Sequence, residues 1–305
     1  MEQKNISYLE IFKESFRITW ENKFLWFFGF FIMAGTATNS FIWELGDIQK
    51  DWFFIMTISV FFLAFFLLLS VGKIIGQTAI IIFSGKETLD KNIGFRKLFK
   101  KSSRFIWKLL LLDLLLAMVI LLVASTLSVP VIFLIFAKSE LSAFIVGLFA
   151  LVIFIPLATL AFFIKKFSYI YIILSDLDIL NSIENSYLLF KKNIIESLMM
   201  LFFLLLAGLA CALALFITLV IVGMPLIFVV FSLSLIMPKI ITVFIATIFI
   251  AITTLIFITV RSIFETFGQI SWTLFFKNIA GIKIDEKEIL KETLPIKEAV
   301  GAENA

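Results

Sequence analysis

Apolar residues run through this chain in long blocks separated by short charged breaks. About 20 apolar residues cross a bilayer as a helix. On that measure the blocks predict spans near 24–43, 53–72, 108–129, 143–164, 198–222 and 240–260. The second, fourth and sixth blocks continue to about 83, 174 and 276, and each is interrupted by cations: Lys73, Lys165 with Lys166, and Arg261. Counting back from these gives 20, 22 and 21 apolar residues, one crossing each. The cations therefore belong at the interface, where long side chains snorkel. The residues after them should continue as helix at the membrane surface.

Three stretches between the blocks show helical rather than unbroken apolar spacing, starting near 7, 92 and 176. The first sets Leu9, Phe12, Phe16 and Trp20 on one face, with Glu10, Lys13, Glu14, Arg17 and Glu21 elsewhere. Ser7 with Glu10 reads as a capping box and Ile6 against Ile11 as a hydrophobic staple. The second sets Phe95, Leu98, Phe99 and Ser102 opposite a basic surface. The third sets Ile179, Ile183, Tyr187, Phe190 and Ile194 together, with Ser175 and Asp178 as a weaker cap. The hairpins after them also correspond: SVPVIF at 128–133 answers GMPLIF at 223–228, and GQTAIIIF at 76–83 answers GQISWTLF at 268–275. Pro130 and Pro225 should kink their helices near the outer end.

The fold class this predicts is an all-α membrane protein. It has six transmembrane helices arranged as three hairpins, each preceded by an amphipathic interfacial helix, in a threefold internal repeat. Residues 1–277 form one transmembrane domain and 278–305 a mobile cytoplasmic tail rich in Lys and Glu. Composition agrees. Of 305 residues 62% are hydrophobic and only 16% charged, against about a quarter charged in soluble domains. Charge also sets orientation: 21 Lys and Arg lie in the segments 1–23, 84–108, 165–193 and 277–305, against Lys50, Lys138 and Lys239 on the other side. This predicts both termini inside, with the sequon Asn5-Ile6-Ser7 cytoplasmic and silent. No cleavable signal peptide is visible.

The chemistry is sparse. The single cysteine, Cys211, excludes an intrachain disulfide and a thiolate zinc site, and there is no histidine. No phosphate-binding glycine loop, dinucleotide fingerprint, zinc-protease motif or nucleophile elbow occurs. No catalytic residue, metal ligand or cofactor is expected. The basic residues sit beside spans, so nucleic acid is not an expected partner.

Four charges at or inside the spans are candidate site residues. Asp113 lies about eight residues into the third span, roughly 12 Å deep, and an intramembrane carboxylate is a functional candidate by default. It either pairs structurally with Lys73, Lys165 or Arg261, or serves as an ionisable group in transport. Arg261 and Glu265, four apart on one helix face, form a local ion pair or line a vestibule with Asp113. Lys97, Lys100, Lys101 and Arg104, followed by Lys108, fix topology and are candidate contacts for anionic lipid headgroups. Small residues, Gly72 with Gly76 and the Ala207, Gly208, Cys211, Ala212 cluster, suit close helix packing.

YLEIFKESFRITWENKFLWFFGFF at the start, NSIENSYLLFKKNIIESLMMLFF in the middle and the closing GQ-containing helix carry a family resemblance. Over roughly 7–278 the chain resembles the bacterial and archaeal superfamily that includes the glycerophosphodiester phosphodiesterase membrane domain and the YciC-like membrane proteins. The resemblance implies an accessory membrane role. Where such members carry a phosphodiesterase, catalysis belongs to a separate soluble domain, which is not expected within these residues. The expected function is a non-enzymatic component of a prokaryotic cytoplasmic membrane that organises lipid or a partner, with membrane lipids, a protein partner or further copies of itself as partners. The alternative is a small transporter or channel using Asp113.

Overall fold

The computed structural model describes residues 7–41, 52–85, 94–236 and 238–281, and every element among them is helical. In chain order these are α1 (Tyr8–Glu21), α2 (Leu25–Phe41), α3 (Trp52–Gly85), α4 (Phe95–Ser103), α5 (Ile106–Phe136), α6 (Glu140–Ser175), α7 (Ile179–Lys192), α8 (Ile194–Thr218), α9 (Met224–Ile236) and α10 (Lys239–Ala280). A π-helical turn, Leu219–Gly223, joins α8 to α9. Five helical stretches are long and apolar enough to cross a membrane: Leu67–Gly85, Ile106–Phe136, Glu140–Ser175, Ile194–Ile221 and Ile240–Ala280. The chain is thus an integral membrane protein by the length and composition of its helices. The proposed tail falls almost wholly outside the described residues, as do Ile6 and residues 42–51 and 86–93.

The longest helices exceed what a bilayer needs. At 1.5 Å per residue, α3, α6 and α10, with 34, 36 and 42 residues, run about 51, 54 and 63 Å. The hydrocarbon core is about 30 Å thick. Lys73, Lys165 and Arg261 lie about 32, 38 and 33 Å along them, near where hydrocarbon would end. The segments beyond these cations continue as helix, as expected, and pack on one another. Ile74, Ala79, Ile80, Ile81 and Ile82 of α3, Phe167, Ile170 and Ile172 of α6, and Ile270, Phe275 and Phe276 of α10 are all buried. A helix that is apolar all round needs either lipid or protein on every side. Beyond the hydrocarbon only protein can supply it.

The short helices close this end of the bundle. α1 lies on α10, α4 on α3 and α7 on α6. The inward face of α4 lies within the face its spacing suggested, that of α7 shares Phe190 with it, and that of α1 differs. In α1 the buried residues are Ile11, Ser15, Ile18 and Thr19, while Leu9 is 80% exposed and Phe16 58%. In α4 Leu98 and Ser102 are buried, and in α7 Ser182, Ser186 and Phe190. Small hydroxyl residues let helix backbones approach, and each satisfies its own oxygen by donating one turn back. Ser15 donates to the carbonyl of Ile11 at 2.7 Å, Ser102 to Leu98 at 2.8 Å and Ser186 to Ser182 at 2.6 Å. Ser168 of α6 then donates to Ser186 Oγ at 3.0 Å, tying α7 to its neighbour.

Local capping follows sequence in part. Ser7 Oγ accepts from the Glu10 N–H at 3.4 Å, as the capping box requires. The Ser175/Asp178 pair does not cap α7: Ser175 ends α6, and Asp178 takes the N-cap position with no side-chain bond. Pro130 lies inside an uninterrupted α5, whereas Pro225 immediately follows the π-turn. A wide turn there accommodates the missing proline N–H.

Asp176 closes α6 in the left-handed region (φ 47°, ψ 33°), which Asp tolerates better than most residues. Its carboxylate accepts from Lys108 Nζ at 2.9 Å and lies 3.8 Å from Arg104. The Lys108 hydrogen bond, aided by the Lys108 and Arg104 charges, holds this carboxyl below its usual value against a small opposing effect of burial. A depressed folded value means the pair stabilises at pH above the ordinary carboxylate range. The contribution disappears as pH falls through the folded value. Because the pair is exposed, the loss is expected to stay below about 1 kcal/mol. Thermal unfolding of the native protein and Asp176→Asn at neutral and acidic pH should therefore converge only under acid.

Candidate functional site

Where the lipid-length part of the bundle meets its packed end, α2, α3, α6 and α10 enclose a polar cavity of about 280 Å³. At about 30 Å³ per water it has room for roughly nine. Lys73 and Gln77 of α3, Lys165, Lys166 and Tyr169 of α6, and Glu265 and Gln269 of α10 line it, with Thr36 of α2. The placement follows from helical geometry. Lys73 and Gln77, Lys165 and Tyr169, and Glu265 and Gln269 are each four residues apart, so each pair projects from one face. Glycines bring the walls together. A Cβ on Gly35 would meet Lys73 Cβ at 2.6 Å, and one on Gly76 would meet the Phe28 carbonyl oxygen at 2.5 Å.

The candidate charges converge on this cavity. Lys165 Nζ lies 2.8 Å from Asp113 Oδ1 of α5, an ionic contact in which Oδ1 is buried without hydrogen-bond geometry. Tyr169 lies beside the same carboxylate, and its ring is 5.8 Å from Lys165 Nζ. Arg261 pairs with Glu265 at 2.8 Å. Lys166 donates to Gln269 Oε1, a neutral acceptor, at 3.2 Å. Lys73 has no hydrogen bond or ion pair among the described residues. Four cations, Lys73, Lys165, Lys166 and Arg261, thus face two carboxylates, Asp113 and Glu265.

Of the cations expected at the interface, Lys73, Lys165 and Lys166 share one space. Asp113 and Arg261 reach it through their ion-pair partners. Lys97, Lys100, Lys101 and Arg104 are elsewhere, exposed on α4 and the turn after it. Lys166, Gln77, Gln269 and Tyr169 were missed as site residues. For Gln77, Tyr169 and Gln269 the signal was the recurrence of polar residues at i and i+4 in three otherwise apolar helices. The two GQ dipeptides served in the sequence reading as repeat markers, yet both glutamines line the cavity.

A larger groove of about 620 Å³ lies between the far halves of α5 and α6, lined by residues such as Leu127, Val131, Phe144 and Leu151, without a charged group. It can take apolar chain but cannot orient a ligand. Among the described residues no group of three or more metal-ligating side chains comes together.

No family model, curated protein or solved structure matches the chain.

Proposed function

We propose that this chain is a multi-pass protein of a prokaryotic cytoplasmic membrane, with both termini inside, that binds anionic lipid at the cytoplasmic interface in a non-enzymatic, organising role. The observation that carries the reading is the cavity, a lysine-rich space about 30 Å along the long helices, which with one end of those helices at the outer surface falls at headgroup depth. Buried or half-buried charge without an equal countercharge is costly in low dielectric, and anionic headgroups are the anions concentrated at that depth.

The six-span, threefold arrangement belongs to the same reading. α2, with 17 residues and about 26 Å of rise, is at the short end of what crosses, and it supplies the sixth span. Three successions of one short helix and two long arms support the repeat, the third arm pair being α8–α9 and α10. So does the recurrence of an asparagine stop: Asn22 donates to Ile18 O at 3.0 Å after α1, and Asn193 to Leu189 O at 2.9 Å after α7. The outward Leu9, Phe16 and Trp20 of α1 suit the headgroup–acyl boundary, as interfacial helices require. Membership of the superfamily named above is proposed with this reading and rests on the sequence motifs. A protein partner or self-association remains compatible with it.

Native mass spectrometry of protein released from mixed-lipid nanodiscs tests the function. Retention of a defined anionic lipid is expected. Reversing Lys97, Lys100 and Lys101 together should weaken general anionic-lipid binding and leave the tightly held lipid in place. Release of protein with only random bulk lipid would contradict the role.

The Asp113–Lys165 pair beside a polar cavity also favours a second reading, ion- or solute-linked transport. On that reading Asp113→Asn abolishes flux into proteoliposomes, and unchanged flux removes it.

A further inference from the structure

We infer that the cavity is a binding site for a phosphomonoester dianion, held chiefly by Lys73 and Lys166. This rests on the lipid-binding reading above and names the headgroup chemistry. The charges lining the space are Lys73 of α3, Lys165 and Lys166 of α6 and Glu265 of α10, an excess of two positive that is unchanged when the ion-pair partners Asp113 of α5 and Arg261 of α10 are added. Lys165 and Arg261 have carboxylate partners at 2.8 Å. Lys166 has only the neutral Gln269, and Lys73 has no bonded partner among the described residues. The two unmatched ammonium groups come from different helices and line one cavity, and in this proposal a single anion between them meets both.

Charge and geometry select the ligand class. A phosphomonoester carries about −1.5 to −2 at neutral pH with three acceptor oxygens, and two neighbouring cations favour its fully ionised form. A phosphodiester carries one charge and would leave one lysine uncompensated. Gln77, Gln269 and Thr36 supply neutral hydrogen-bonding groups around the ammonium pair. The volume, about 280 Å³, holds such a headgroup but no large sugar or peptide. The same chemistry is presented by phosphatidic acid in the membrane and by inorganic phosphate or glycerol 3-phosphate in water.

The test uses the full-length protein in phosphatidylcholine nanodiscs carrying either phosphatidic acid or phosphatidylglycerol, with lipid retention read by native mass spectrometry. Inorganic phosphate and glycerol 3-phosphate are titrated in a parallel arm by thermal shift. Phosphatidic acid should be retained over phosphatidylglycerol, and Lys73→Gln and Lys166→Gln should each cut that preference by about fivefold. Lys166→Arg should keep it, as should reversal of Lys97, Lys100 and Lys101. If the glutamine variants fail to fold, the native protein still decides: its preference should shrink as pH falls below about 6, where the phosphomonoester becomes a monoanion. Equal retention of the two lipids would overturn the dianion assignment and leave the lipid-binding reading standing. Stabilisation by soluble phosphates without lipid retention would uphold the dianion site and remove its lipid source. A preference unmoved by the cavity variants but lost on reversing the α4 lysines would overturn the site. No binding in either arm would overturn both readings.

Discussion

Replacing Phe163 with alanine is expected to destabilise the fold by about 3–5 kcal/mol, the range for a large aromatic removed from a core. Phe163 is fully buried. Its ring stacks on Phe190 of α7 at 4.7 Å and meets Trp272 of α10 edge-on at 5.8 Å, so one side chain joins three helices. The site cannot collapse easily, because Phe167 and Phe276 are also fully buried beside it. Phe190 of α7 and Trp272 of α10 cover it, so protein and not lipid lines the void. The matched control is Phe149 of the same helix, 66% exposed on the apolar surface. Phe149→Ala exchanges contact with lipid for contact with lipid and should change stability little. Denaturant unfolding in micelles, followed by tryptophan fluorescence, separates the two. Equal losses would contradict the placement of the core.

The second large effect is expected at Gly29. A Cβ there would fall onto the carbonyl oxygen of Ser262 and the hydroxyl of Thr266, both on α10. Backbone cannot rotate out of the way, so α2 and α10 must separate. Separation also breaks two hydroxyl bonds across the crossing, Ser262 Oγ to the Trp26 carbonyl and Thr266 Oγ1 to the Leu25 carbonyl at 3.2 Å. Overpacking and two lost hydrogen bonds together suggest about 2–4 kcal/mol for Gly29→Leu. Gly268, inside α10 with nothing near its missing Cβ, is the counterpart. Gly268→Ala should stabilise by about 0.5–1 kcal/mol through helix propensity alone. The two shifts in melting temperature should have opposite sign.

Much of this architecture was legible in the sequence because lipid imposes a simple rule. An apolar run of sufficient length is a helix, and five of the described helical stretches are long and apolar enough to cross. The pairing Arg261–Glu265 followed from i,i+4 spacing. The partner of Asp113 was open between Lys73, Lys165 and Arg261, and the structure places Lys165 against it. Spacing could not tell which face of a short helix turns inward. In α1 the aromatic stripe was the stronger hydrophobic signal, yet Ser15 and Thr19 make the close contact because small size decides how near two helices come. Nor could it show that the segments after the cations form the core. An apolar stretch reads alike whether lipid or protein covers it. The cavity was hidden for a related reason: its walls come from four helices far apart in sequence.

The central claim is that an anion completes the cavity between Lys73 and Lys166. Cryo-electron microscopy of the full-length protein in nanodiscs containing phosphatidic acid tests it most directly. The account expects tetrahedral headgroup density within hydrogen-bonding distance of both ammonium groups, continuous with acyl density between the helices. A cavity holding only water, with Lys73 and Lys166 turned out toward bulk headgroups, would contradict it.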